Sequence, residues 1–181
     1  MLLAIDPSMC AAGAALFTLD SSYSLVYAVR VTQRDDGSDV VERCRTIAAK
    51  LVDAVREGYA MHSGLHITRI ATERPQIYQR TGGKSKADPN DQLYMCMMLG
   101  SVATLLRGAL VCSYKPSDWK GQTPKPVVCA RARGFLSPSE QAIFDAAQPP
   151  GVSYYDAGEA IAVGLHHTGR YKNARPYKGC T

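Results

Sequence analysis

Five short apolar runs, each closed by a polar or helix-breaking residue, are interleaved with longer amphipathic stretches, and this order restricts the fold more than any other feature of the 181-residue chain. The first run, residues 1–5, is apolar throughout and stops at Asp6 and Pro7, which predicts a buried strand whose end exposes a carboxylate. Residues 11–18 and 24–31 read as two further strands about the polar turn Asp20-Ser21-Ser22, so the three predict an antiparallel meander. Residues 39–56 place Val40, Val41, Cys44, Ile47, Ala48, Leu51, Val52 and Val55 at helical spacing, with Gly58 as the expected stop. Residues 66–72 predict a fourth strand that delivers Glu73 at its end. The stretch 74–87, RPQIYQRTGGKSKA, has no hydrophobic period and reads as an exposed, mobile loop.

Asp88-Pro89 combines a capping acid with a first-turn proline and predicts a helix from 88 to 108, whose Leu93, Met97, Gly100 and Ala103 imply close packing. Residues 109–114 are a fifth strand, and 115–125 a loop punctuated by Pro and Gly that holds the single Trp. Short helices are expected near 126–133 and 138–147, and a last helix over 155–167 after the Pro149-Pro150-Gly151 break. Strands, then alternating helices and strands, then helices predict an α/β fold with a five-stranded mixed sheet flanked by helices.

No apolar run approaches the ~20 residues of a membrane helix, and Asp6 interrupts the start too early for a secretory signal. The expectation is a cytoplasmic chain that makes no membrane contact. Its cysteines, Cys10, Cys44, Cys96, Cys112, Cys129 and Cys180, form no C-x-x-C pair and read as buried reduced thiols, with Cys180 an exposed tail thiol. Charge is uneven. Residues 1–60 carry six Lys or Arg against eight Asp or Glu, whereas the remainder carries fifteen against eight. Residues 107–134 carry Arg107, Lys115, Lys120, Lys125, Arg131 and Arg133 against Asp118 alone. The stretch 74–87 carries Arg74, Arg80, Lys84 and Lys86, and the tail adds Arg170, Lys172, Arg175 and Lys178. Such clustering suits a polyanion-binding face, with a solvated basic surface as the alternative.

The acids carry the chemistry. Asp6 and Glu73 each end a buried strand, and Asp156 and Glu159 lie three apart, on one face, at the start of the last helix. Each has an ordinary reading: a turn cap for Asp6, an ion pair with Arg74 for Glu73, and the helix dipole for the other two. Their joint placement at one sheet edge is what points further, because four close carboxylates repel one another unless cations are bound. An all-oxygen donor set selects Mg²⁺, with Mn²⁺ as the alternative. Two such ions, about 3.5–4 Å apart, support phosphodiester hydrolysis.

LLAIDPSMCAAGAALF resembles the opening strand, turn and strand of the RuvC-type Holliday junction resolvases, members of the RNase H-like superfamily. IATERPQ resembles the strand bearing their second acid, YKPSDWKGQTPKPVV their strand, proline and spaced lysines, and YYDAGEAIAVGLHH their final helix. The matches run in the family's order from Leu2 to His167. The resemblance implies an RNase H-like nuclease domain over 1–168 with a basic tail over 169–181. It also implies an enzyme that cuts four-way DNA junctions by paired incisions; paired cuts need two active sites, so a homodimer is expected, with the 88–108 helix at the interface. Asp6, Glu73, Asp156 and Glu159 become the catalytic acids that hold two divalent ions, and Lys120 and Lys125 contact the phosphate backbone, Lys120 as a catalytic residue. Tyr78 becomes the candidate aromatic at the junction centre, an ordinary loop tyrosine being the alternative. A bacterial or phage-encoded enzyme is expected.

Two departures from the pattern stand out, Ser8 in place of Gly and Glu159 in place of Asp or His, and neither removes a ligand. Three other readings stand beside this one. The same fold can act on flapped DNA or RNA, or serve as an inactive junction-binding architectural protein, against which the four acids argue. An actin-like ATP-binding protein requires two such domains and a glycine-rich phosphate loop, and Gly82-Gly83 is the single glycine pair. His62, His66, His166 and His167 receive no role; the last two fit the helix dipole at a C-terminus.

Overall fold

Every residue of β1 (Leu2–Asp6) is buried, which requires cover on both faces and so places this strand in the middle of the sheet. The structure, a computed structural model, describes residues 1–8, 10–34, 37–60, 66–75 and 89–171. β1 pairs antiparallel with β2 (Ala11–Phe17), which pairs antiparallel with β3 (Leu25–Thr32). On its other side β1 pairs in parallel with β4 (Arg69–Glu73), and β4 in parallel with β5 (Leu110–Tyr114), giving the order β3-β2-β1-β4-β5. Parallel neighbours need long crossovers. α1 (Val40–Ala60) supplies the first and α2 (Pro89–Leu105) the second. The five-stranded mixed sheet expected from the element order is therefore present.

Alternation along the strands divides the core in two. Leu3, Ile5, Ala14, Leu16 and Ile70 meet Ile47, Leu51 and Val55 of α1 and Met98 and Val102 of α2. Leu2, Ala4, Ala15, Phe17, Ala71, Cys112 and Tyr114 face the opposite layer. That layer holds α4 (Lys125–Gly134), α5 (Pro138–Ala147) and α6 (Asp156–His167), and a single turn, α3 (Pro116–Trp119), precedes it. From Ala157 to His166 every residue of α6 is buried, so it is the central helix of its layer.

Several expectations are corrected. α1 runs past Gly58 to Ala60, because Gly58 serves close packing: a Cβ there would lie 2.5 Å from the Tyr27 ring. β4 begins at Arg69 and includes Glu73, and the 115–125 loop contains α3. On α2, Met98 and Val102 are buried, while Leu93 and Met97 are exposed. The helix is apolar almost all round, so periodicity alone does not identify its buried face. Cys10 and Cys96 are exposed, whereas Cys44, Cys112 and Cys129 are buried. Arg170 and Tyr171, assigned to the tail, pack on the domain. Arg170 Nη1 and Nη2 donate to the buried Glu140 at 2.6 and 2.7 Å, and Tyr171 is in the core. Cys180, Asp88 and the loop residues 76–88 lie outside the described residues.

Candidate active site

The strand register assembles the site. Ile5 of β1 stands beside Thr72 of β4, so the next position on each strand brings Asp6 and Glu73 together on the α6 side of the sheet. Across the antiparallel pair, Asp6 faces Gly13 of β2. A Cβ on Gly13 would lie 1.9 Å from the Asp156 carbonyl oxygen, so the missing side chain makes the notch that seats the first turn of α6. Asp156 and Glu159, one turn apart, are thereby carried to the edge where β1 and β4 end.

Two lysines close the carboxylates into a network. Lys120 Nζ, just after α3, lies 2.6 Å from Glu73 Oε2 and 2.8 Å from Glu159 Oε1. Lys125 Nζ, at the start of α4, contacts Glu159 Oε2 and stands 3.9 Å from Asp6 Oδ2. The Lys125 contact with Oε2 is an ion pair and lacks hydrogen-bond alignment. Asp156 is held separately: Arg30 Nε of β3 donates to its Oδ2 at 2.7 Å, and the Arg30 guanidinium lies 4.1 Å from the Tyr154 ring centroid.

Burial and mutual repulsion set the protonation states. Burial, reinforced by the Glu159 charge, pushes the Asp6 carboxyl well above the usual range. Burial also raises Glu73, against the pull of Lys120. Burial opposes ionisation of Glu159, but Lys120 and Lys125 together outweigh it and hold that carboxyl low. Both ammoniums are in turn held charged: burial opposes, while Glu73 and Glu159 around Lys120, and Asp6 and Glu159 around Lys125, prevail.

Asp6, Glu73, Asp156, Lys120 and Lys125 line a cleft of about 280 Å³, with Ser8, Arg74, Gln92 and Met95 among its walls and Glu159 fully buried behind the two ammoniums. Asp6, Glu73, Asp156, Glu159, Lys120 and Lys125 are therefore brought together as expected. Lys115 stays outside as the exposed N-cap residue of α3, its backbone N–H donating to Asp118. Arg74 reaches the rim and donates to Ser113 Oγ at 3.2 Å. Tyr78, Arg80, Lys84 and Lys86 lie outside the described residues.

Sequence reasoning missed Arg30 and Gly13. The signal for Arg30 was a charged residue at an inward-alternating position of a strand. His166 and His167 also depart from the dipole reading, which requires charged imidazoles. His166 is buried edge-on to Tyr114, and His167 Nδ1 is 2.6 Å from the Tyr114 hydroxyl. Burial keeps both neutral, His167 being lowered to about 4.

The donor chemistry fits a hard cation. Every candidate ligand is a carboxylate oxygen, and the nearby Cys129 thiol is no competitor, because burial and the Glu159 charge push it up to about 12. Among the described residues, no three Asp, Glu, His or Cys side chains stand as a preformed metal-ligand group. The ammoniums of Lys120 and Lys125 occupy the space between the acids.

No family model matches the chain, and no curated protein matches its sequence. Solved structures do match. Thermus thermophilus RuvC is 19% identical with a TM-score of 0.55, over 97% of this chain and 99% of that one. The same protein in complex with a Holliday junction substrate is 19% identical with a TM-score of 0.59, over 97% and 98%. The yeast mitochondrial Holliday junction resolvase is 12% identical with a TM-score of 0.52, over 95% of this chain and 80% of that one. At such identity the likeness establishes the architecture, which is the RNase H-like fold in its RuvC form.

Proposed function

Starting from that shared fold, we propose that the chain is a divalent-metal-dependent endodeoxyribonuclease that cuts four-way DNA junctions by paired phosphodiester hydrolysis. The observation that carries this reading is the convergence of Asp6, Glu73 and Asp156 on one cleft with Lys120 and Lys125, both of which are paired by the buried Glu159. Solved structures of the same fold include a RuvC with a Holliday junction substrate and a yeast junction resolvase.

The four acids would hold the cation, Mg²⁺ or Mn²⁺, with two ions the number that serves both the attacking and the leaving oxygen. When bound, it supplies an activated water and stabilises the departing 3′ oxygen. The remaining work falls to the chain's own side chains. Lys120 and Lys125 keep their protons through neutral pH and so present fixed positive charge to a phosphate entering the cleft. Glu159, with no exposed surface, anchors both ammoniums from below. Arg74 at the rim adds a cation on the path of the DNA backbone. Tyr78, Arg80, Lys84 and Lys86, outside the described residues, are proposed DNA contacts on the sequence alone.

Paired cuts need two active sites, and a homodimer supplies them. Supporting this, Val41 of α1 and Met97 and Leu105 of α2 are exposed and line a groove of about 660 Å³ between the two helices, which shares no lining residue with the carboxylate cleft. The deciding experiment is cleavage of a labelled four-way junction with Mg²⁺, beside linear duplex, flap and an RNA hairpin, with Asp6→Asn in parallel. Symmetrical nicks in the junction alone, absent from Asp6→Asn while junction binding persists, are expected. Cleavage by Asp6→Asn at the parent rate would sink the site assignment.

A further inference from the structure

Arg30 belongs to no motif, and the mechanism above does not use it, yet three observations tie it to the site. The first is register: Asp6 pairs with Gly13, and Gly13 pairs with Arg30, so the three form one row across β1, β2 and β3. Directly paired residues project from the same face. The second is the seat of α6: the notch at Gly13 receives the Asp156 backbone, which places Asp6 on one side of the helix start and Arg30 on the other. The third is contact. Arg30 Nε is 2.7 Å from Asp156 Oδ2, with side-chain exposures of 26% and 15%, and the guanidinium packs on Tyr154 at 4.1 Å. A guanidinium held by a carboxylate and an aromatic face together is pinned in one orientation, and pins its partner.

We propose that Arg30 is a positioning residue for Asp156. It fixes the direction in which this carboxylate is presented, and thereby sets the affinity of the site for its divalent cation and the rate of cutting, while leaving junction binding alone. The inference rests on the nuclease reading above and deepens it. A carboxylate in a helix's first turn is otherwise free about two side-chain torsions, and a metal site is tight when such groups are oriented in advance by their neighbours. The contact runs through one nitrogen and one oxygen, so it does not saturate a carboxylate that offers about four lone-pair sites. Charge alone predicts the opposite outcome, since deleting a cation beside an acid should strengthen the hold on another cation. The sign of the effect therefore separates positioning from simple electrostatics.

The test uses the full chain as wild type, Arg30→Gln, Arg30→Lys, Asp156→Asn and the Arg30→Gln/Asp156→Asn double variant. Mn²⁺ binding is measured by calorimetry without DNA, and junction cleavage is followed across Mn²⁺ concentrations. Arg30→Gln is expected to bind Mn²⁺ about 10-fold more weakly and to cut correspondingly slower, with junction binding unchanged. Arg30→Lys, which keeps the charge but loses the planar stack, should fall between the two, and it carries the test if Arg30→Gln does not fold. In the Asp156→Asn background, Arg30→Gln should have no further effect on Mn²⁺ binding. Mn²⁺ binding by Arg30→Gln equal to or tighter than wild type overturns the proposal, as does an undiminished loss in the Asp156→Asn background. Wild type that neither binds Mn²⁺ nor cuts would bring down the nuclease reading and this role with it. Wild type that does both, matched by Arg30→Gln, would bring down the Arg30 role alone.

Discussion

Glu159 is fully buried and still ionised, because its two carboxylate oxygens meet two separate ammoniums, those of Lys120 and Lys125. An ion of that kind is tolerable only in a network, since isolated burial of one charge costs several kcal/mol. Its neighbour Asp6 shows the reverse balance, with burial and repulsion prevailing over a more distant Lys125 at 3.9 Å. The histidines follow the same physics away from the cleft. His167 is lowered from 6.5 to about 4 by burial, with Arg69 and His166 adding to the effect. A depressed pKa means that the folded chain binds fewer protons than the unfolded chain between those values. Its contribution to stability is thus complete above about 6.5 and is lost as the pH falls towards about 4. Asp6 and Glu73 act in the opposite sense, so the measurement must be a difference. His167→Gln, whose amide can still meet the Tyr114 hydroxyl, should lose less thermal stability than wild type between pH 7.5 and 5. Equal losses in the two proteins would refute the assignment.

At the scale of elements, the site is a consequence of how α6 sits on the sheet. β1 and β4 end side by side, and the notch at Gly13 admits the helix start that carries Asp156. Gly13→Ala would force the Asp156 carbonyl away, since its Cβ would lie at 1.9 Å. The expected outcome is a destabilisation of about 1–3 kcal/mol in urea unfolding, as for overpacked cores, together with loss of cutting. Full activity in Gly13→Ala would show that the helix can shift without disturbing the acids. The elements also explain what pattern reading missed. α2 carries apolar residues on nearly every side, so its buried Met98 and Val102 and its exposed Leu93 and Met97 could not be told apart by spacing. α1, with Cys44, Ile47, Leu51 and Val55 on one stripe, was legible because its opposite face is charged.

At the scale of the molecule, the layer under α4, α5 and α6 supplies Asp156, Glu159 and Lys125 to the site, whereas α2, on the other face, gives the cleft Gln92 and Met95 and leaves Leu93 and Met97 in solvent at 59% and 37% exposure. If that surface joins two copies, Leu93→Glu with Met97→Glu should yield a monomer in sedimentation with unchanged circular dichroism, and should convert paired junction cuts into single nicks. A variant that remains dimeric would move the interface elsewhere. Element order, strand-end acids and the final helix were legible in the sequence because they depend on local periodicity and on residues a few positions apart. Sequence alone therefore determined the sheet's composition and marked Asp6, Glu73, Asp156 and Glu159 as site candidates, with Lys120 and Lys125 added by the family resemblance. The tertiary structure alone decided that Lys115 stays outside, that Arg30 enters from the far strand, and that Gly13 is the seat of α6. Arg30 and Asp156 are 126 positions apart, and no local pattern encodes which side chains meet when strand register and helix packing fold such distant segments together.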